Sequence, residues 1–367
     1  MSNILKYKDI IAFHPGYYIE EIIEDSGMTQ AEFAARLGTT AKTLSCLING
    51  QANISNDIAK KLSVMLGSGE EGWLNLQKNY DQKLIEIQKE KDFDEQTNLA
   101  DMIDYSYFET IIETTPAGSA ADRVANLCSY FMVSDLRIML KPDFLINYKV
   151  DVTPENEKIV LNSRAWLQTA INQSNGIETR PYDSNKLKSS LPVIRSMTIM
   201  PSDVFLPKLR QVFSECGIAF VLLPNLKNSG VNGAVRWINE DRVVLAMNNS
   251  NLDADSFWFS LFHEIRHVLQ KKTKTVFINY AEKDVVETND QLEDDADRFA
   301  TNFLIPPSEL KKFSPSKNTS DEEIITFAKS IGIHPGIVAG RLQSEGIIAA
   351  NRCNKLKEKY HLEKHTA

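Results

Sequence analysis

Two histidines four residues apart, with a glutamate beside the first, stand in His263-Glu264-Ile265-Arg266-His267. This spacing constrains the fold more than any other feature of the chain. Residues at i and i+4 project from one side of a helix, one turn apart. The apolar stripe Trp258, Leu261, Phe262, Ile265, Val268 and Leu269 predicts that helix over Ala254–Lys271, with Asp255 or Ser256 able to cap it. Both imidazoles can then ligate one tetrahedral Zn²⁺ at about 2.0–2.1 Å, while Glu264 sits beside the metal as general base. A catalytic zinc of this type needs a third protein ligand and an open fourth position. The best donor is Glu293, at the N-terminal edge of a second predicted helix, Gln291–Leu304, with Asp294 and Asp295 as alternatives. Asp297, one turn on, is placed to orient a ligating imidazole from behind. Tyr280 and Arg266 are candidate oxyanion stabilisers that read better as surface residues. His334, His361 and His365 are not expected to ligate.

The rest of the composition narrows the chemistry. Cys46, Cys128, Cys216 and Cys353 are scattered with no CxxC pair. That argues against a disulfide framework or a thiolate zinc site, and for a reducing, cytoplasmic setting. No apolar run reaches the roughly 18 residues of a membrane span, and Met1–Ile11 lacks a signal-peptide core, so no membrane partner is expected. A length of 367 residues implies more than one domain, and 43% hydrophobic with 25% charged residues supports packed cores. The net charge of -8 does not by itself suggest nucleic acid. Between Phe33 and Leu62, however, Arg36, Lys42, Lys60 and Lys61 face only Asp57, a modest positive excess.

Residues 14–90 read as short helices. Gly27 closes the first, Thr29 with Glu32 forms a capping box for the next, Gly38 ends it, and Thr39 or Thr40 caps a third running to Asn49-Gly50. Ser55–Leu66 and Gly72 to about Glu90 supply two more, and the polar stretch Lys89–Asn98 is the candidate linker. A mostly helical region with a strand at Phe144–Val150 comes next. A helix to Cys216 then precedes strands at Ala219–Leu223, Ala234–Ile238 and Arg242–Met247, the last two as a hairpin. The recurrence of His-Pro-Gly at 14–16 and 334–336 reads as coincidence. The expected fold is multidomain, an all-α helix-turn-helix domain followed by an α+β zincin-like domain. Its parts are 1–95 (helix-turn-helix), 96–200 (connecting), 201–312 (zinc domain) and 313–367 (helical extension).

Gln30–Leu37, a turn at Gly38 and Thr40–Asn49 have the lengths of a helix-turn-helix, held by Ala34, Leu37, Leu44 and Leu47. Ala41, Lys42, Ser45 and Cys46 point outward from the second helix, short or basic enough to meet base edges in double-stranded DNA. Gln30 and Thr40 lie at helix N-termini suited to phosphate.

Two resemblances follow from these motifs. Phe259 through His267, then Glu293-x-x-Ala296-Asp297-x-Phe299-Ala300 and Leu304-Ile305-Pro306, resembles the ImmA/IrrE zinc metallopeptidases. The resemblance implies His263, His267 and Glu293 as zinc ligands and Glu264 as general base. Arg266 departs from it, since members usually carry a small residue there. The stretch His14-Pro15-Gly16, Thr29 to Ala34, Leu44 to Gly50 and Trp73 to Asp81 is similar to HigA-type antitoxins of the XRE class, which implies a promoter-binding autorepressor with a toxin partner. Together they imply a regulator, with a homodimer on its operator as the expected assembly, whose zinc domain cleaves a protein partner. The rival expectation is a catalytically silent sensor or toxin-binding module.

Overall fold

The computed structural model describes residues 3–112, 117–142, 144, 153–249, 253–271, 276–280 and 290–360. Contacts divide the chain into two compact units, residues 1–98 and 99–367.

The first unit is mostly helical. It opens on a feature the sequence reading missed, an antiparallel hairpin of β1 (Ile4–Tyr7) and β2 (Ile10–Phe13). Each strand has four residues, and the turn passes through Lys8 at φ 51° with no glycine to mark it. Tyr7 donates to Asp94 at 2.6 Å and Lys8 pairs with Glu90 at 3.1 Å, which fixes the hairpin to the last helix of the unit. The helices are α1 (Pro15–Ser26), α2 (Gln30–Leu37), α3 (Ala41–Ile48), α4 (Asn56–Leu66) and α5 (Glu70–Met102). Ile19, Phe33, Ala34, Leu37, Leu44, Leu47, Leu62 and Trp73 meet in one core. The expected linker, Lys89–Asn98, is helical and lies within α5. Its polarity belongs to a solvated helix face rather than to coil.

Two local expectations are corrected here. Thr29 does cap α2 by accepting from the Glu32 N–H at 3.2 Å, but the Glu32 carboxylate pairs forward with Arg36 at 2.6 Å. A reciprocal capping box occurs instead at Ser320 and Glu323. The two His-Pro-Gly sequences are one capping device used twice. His14 Nδ1 accepts from the Gly16 N–H at 2.9 Å and His334 Nδ1 from the Gly336 N–H at 3.1 Å, with proline in the first helical turn each time.

The second unit is built around a four-stranded sheet. α6 (Tyr105–Ile112), α7 (Ala120–Phe131), α8 (Glu157–Ser174), α9 (Ser184–Ser196) and α10 (Ser202–Glu215) precede it. β3 (Ile218–Leu223), β4 (Val231–Asn239) and β5 (Arg242–Asn248) lead to α11 (Ala254–Gln270), β6 (Val276–Tyr280) and α12 (Asp290–Leu304). α13 (Pro307–Phe313), α14 (Asp321–Ile331) and α15 (Pro335–Ser344) close the order. The strands lie in the order β3-β5-β4-β6, with β3 parallel to β5 and the other neighbours antiparallel.

Side chains alternate between two cores, apart from the irregularity between Val231 and Gly233 of β4. Phe220, Val235, Leu245 and Phe277 face α10, α11 and α15, whereas Val221, Ala234, Ala246 and Ile278 face α6, α7 and α8. A sheet buried on both faces explains why its strands read as continuous apolar runs. The stretch expected only to connect, 96–200, therefore supplies the helices that cover one face of the sheet. α11 starts after Asp253, which makes no side-chain capping bond, so neither Asp255 nor Ser256 is the cap. Asp255 instead pairs with Lys357 at 2.8 Å. The strand expected at Phe144–Val150 lies outside the described residues, apart from residue 144.

Burial holds the His14 imidazole below its ordinary value of 6.5, against the opposing pull of Asp81. A folded-state value lowered in this way gives stability that is full above about pH 6.5 and is lost as pH falls through the lowered value. An asparagine at the same cap does not titrate. The melting temperature of the wild-type chain relative to its H14N variant should therefore drop between pH 7 and pH 5, by calorimetry; a difference independent of pH would contradict the capping role.

Candidate metal centre and helix-turn-helix

The centre is made by α11 and α12 packing side by side. His263 Nε2 lies 2.9 Å from His267 Nε2 and 3.1 Å from Glu293 Oε2, and His267 Nε2 lies 3.4 Å from the same carboxylate oxygen. Both imidazoles are buried and Glu293 is partly covered. The structure thus brings together the three residues selected from sequence. Asp294 is not in this cluster, and Asp295 points elsewhere.

The opposite edges of both rings are tied down. Asp297 Oδ1 lies 2.8 Å from His263 Nδ1, and Gln270 Oε1 lies 3.0 Å from His267 Nδ1. The Gln270 amide orientation is set independently, because its nitrogen donates to Leu292 O at 3.0 Å and Asp295 Oδ2 at 2.9 Å. Its oxygen must therefore accept a hydrogen bond from the His267 Nδ1–H. With both Nδ1 atoms protonated, two Nε2 lone pairs and a carboxylate oxygen converge on one point. Only a cation reconciles them: an additional proton, or a metal ion. Burial works to lower the His263 imidazole, but its hydrogen bonds to Asp297 and Glu293 carry it up to about 10. Glu293 falls to about 2 in spite of its burial, through hydrogen bonds to both imidazoles. Two imidazoles and one carboxylate are a donor set that fits a divalent metal with an open coordination position.

Glu264 follows His263 on α11 and is fully buried. It packs on Gly233 of β4, where a Cβ would come within 2.8 Å of Glu264 Oε1. The lack of a side chain at Gly233 is what makes room for the carboxylate, and no local pattern announced it. Gln270 was also missed, although its i+3 spacing from His267 carries a signal. So was Phe277, whose ring stacks on His267 at 4.1 Å; the run Val276–Tyr280 is short but rich in strand formers. Arg266 turns toward α12, bonding Asp295 at 2.7 Å with its guanidinium 5.4 Å over the Phe299 ring. Its bulk is thereby held by α12. Tyr280 is in β6, but its side chain, like all of His361 and His365, lies outside the described residues. His334 is a helix cap.

In the first unit, Gln30, Thr40, Ala41 and Lys42 are exposed, while Ser45 and Cys46 are half-buried. Thr40 caps α3 by accepting from the Thr43 N–H at 3.1 Å. Thr43 is exposed as well, its hydroxyl 2.9 Å from that of Thr40, and belongs to the same surface though the sequence reading passed over it. Asn49 holds Ser45 through its carbonyl at 2.8 Å.

Two family profiles match the chain: a helix-turn-helix over residues 19–74, and the IrrE N-terminal-like domain of the M78 peptidases over 226–343. An uncharacterized HTH-type transcriptional regulator, YddM of Escherichia coli, is 36% identical over 78 residues, covering 21% of this chain and 81% of that protein. The chain belongs to the XRE-type helix-turn-helix regulators. It carries in addition an M78 peptidase domain, a family that implies a metal. Virulence-associated protein A' of Dichelobacter nodosus is 41% identical over 69 residues, 60% of its length. A solved addiction module antidote protein of a HigA family from Coxiella burnetii is 30% identical, covering 23% of this chain and 91% of that one, with a TM-score of 0.21. No helix among the described residues is long and apolar enough to cross a membrane.

Removing His263 or Glu293 by alanine substitution should empty the centre, and Asp297→Ala should weaken metal binding about 10–100-fold, since it only orients an imidazole. Affinity should rise with pH, because the metal displaces the proton that His263 holds up to about pH 10. Metal analysis after dialysis at several pH values checks this; full retention by His263→Ala would contradict the ligand set.

Proposed function

We propose that this chain is a cytoplasmic DNA-binding regulator whose second unit is a zinc-dependent endopeptidase that cleaves a protein partner. The observation that carries the reading is the convergence of two fixed Nε2 lone pairs and a carboxylate beside a buried glutamate, in a chain that also presents a helix-turn-helix. A bound zinc ion supplies Lewis acidity toward a scissile carbonyl and toward water. His263, His267 and Glu293 would hold it, while Asp297 and Gln270 keep the imidazoles aimed. Glu264 Oε1 takes the proton of the attacking water and returns it to the leaving amide nitrogen. Gly233 leaves that carboxylate space to face the reacting atoms.

The same reading assigns promoter DNA to residues 1–95, with Lys42, Ala41, Ser45 and Cys46 of α3 toward the bases and Gln30 and Thr40 toward phosphate. A dimer reading two half-sites is the expected assembly. The tether of Arg266 to Asp295 supports turnover over a silent sensor, because the guanidinium is engaged on α12. A HigA-like antitoxin role rests on the first-unit motifs alone.

Glu264→Gln should keep the metal and abolish cleavage, and Gly233→Ala should do the same by displacing the carboxylate. Comparing proteomes of cells expressing wild type and Glu264→Gln should reveal a fragment made only by the wild type. An identical pattern, with zinc bound in both, would overturn the peptidase reading. Separately, Lys42→Ala should weaken binding to the protein's own promoter. If Lys42 touches phosphate, the salt slope should fall by about one; unchanged affinity would point to an interaction bundle.

A further inference from the structure

The converging donors occupy one flank of the α11–α12 pair, and helical spacing extends that flank. On α12, Glu293, Asp297, Thr301 and Leu304 recur every three or four residues and so share one side of the helix. Ser256, Phe259, His263 and His267 do the same on α11. Asp295 and Phe299, which hold Arg266, lie on the opposite side of α12. A cavity of about 340 Å³ lies on the donor flank, bounded by α11, α12 and α15. It begins where the donors end. Asp297 lines it while holding His263 Nδ1 at 2.8 Å, and the Phe259 ring in its wall stands 6.4 Å from the His263 ring. Leu304, Ile305 and Ile337 continue the apolar wall, and the exposed Ser344 and Glu345 stand at the rim.

The charges of the wall decide what can enter. Arg341 is paired with Glu345 and Asp255 with Lys357. Asp297 is answered by an imidazole instead of a fixed cation, so the wall with Lys357 carries three acids against two bases. An anion is therefore repelled. A basic side chain is the competing occupant, since Asp297 would attract it. The same carboxylate, however, faces the ring edge opposite the Nε2 that converges with Glu293. With a divalent ion at that Nε2, Asp297 and Glu293 together offset its charge, and a second cation behind the ring would be repelled. A neutral apolar group meets neither penalty and gains the wall of Phe259, Leu304, Ile305 and Ile337. Because this cavity continues the donor flank, a peptide held at the metal centre can lay a side chain into it.

We propose that this cavity is a side-chain subsite of the peptidase, so that its protein substrates carry a large apolar residue beside the scissile bond. The proposal rests on the peptidase reading above. The probes are hydroxamic acids, titrated by calorimetry into the full-length, zinc-loaded protein. Acetohydroxamate reports the open metal position alone. Hexanohydroxamate should bind about tenfold tighter or more, as burial of its added methylenes predicts. Thr301→Trp, which fills the cavity from α12, and Ser344→Trp, which crowds it from the exposed rim, should each bring that ratio close to one. The ω-amino analogue of hexanohydroxamate should lose most of the gain. In cells, the fragment made by wild type and not by Glu264→Gln should be cut beside a large apolar residue. A ratio near one in the wild type, or a ratio that survives both tryptophan variants, overturns the subsite and leaves the peptidase reading standing. An amine that binds as tightly as the alkyl chain, or a cut between small or charged residues, overturns the apolar assignment. Failure of acetohydroxamate itself to bind strikes the metal-centre reading, and the subsite with it.

Discussion

The arrangement of the second unit depends on how the far edges of two imidazoles are held. Asp297 fixes the Nδ1 edge of His263 and Gln270 that of His267, so both Nε2 lone pairs meet the Glu293 carboxylate. Without those outer bonds the rings could turn, and the converging acceptors would relieve their repulsion by separating. Gln270 is itself anchored by the backbone of Leu292 and by Asp295, and Asp295 also holds Arg266. One small polar network on two packed helices therefore orients both imidazoles, aims the three candidate donors and secures the Arg266 side chain. The sheet adds the remaining support, with Phe277 stacked on His267 and Gly233 beneath Glu264.

Much of this was legible in the sequence because it follows helical spacing. The i, i+4 histidines, the second helix with Glu293 and Asp297 one turn apart, and the strands Ile218–Leu223 and Arg242–Asn248 all announce themselves by period. The helices α2 and α3 were equally readable, through Gly38 between them and their buried Ala34, Leu37, Leu44 and Leu47. What failed to show depended on contacts between distant residues. Gly233 meets Glu264 only after β4 and α11 pack. The β1–β2 hairpin is held by Asp94 and Glu90, some eighty positions away. The polar run through Lys89–Asn98 misled because solvated helix and linker share a composition. The two His-Pro-Gly sequences misled in the opposite sense, since a local capping rule repeated itself and looked like chance.

The two units differ in what they ask of their surroundings. The second encloses its chemistry: His263, Glu264 and His267 are buried between α11, α12 and the sheet. The first presents Ala41 and Lys42 outward on a short helix capped by the exposed Thr40, with Ser45 and Cys46 half-buried and Leu44, Leu47 and Ile48 on the inner face. That contrast fits a helix-turn-helix regulator joined to a peptidase domain, with an exposed candidate DNA surface and an enclosed candidate metal centre.

X-ray absorption at the zinc edge of the metal-loaded full-length protein tests the central claim most directly. The account predicts two imidazole nitrogens and one carboxylate oxygen at about 2.0–2.2 Å, with no sulfur in the coordination shell. A sulfur shell at about 2.3 Å, or a spectrum without the outer scattering of two imidazoles, would contradict it.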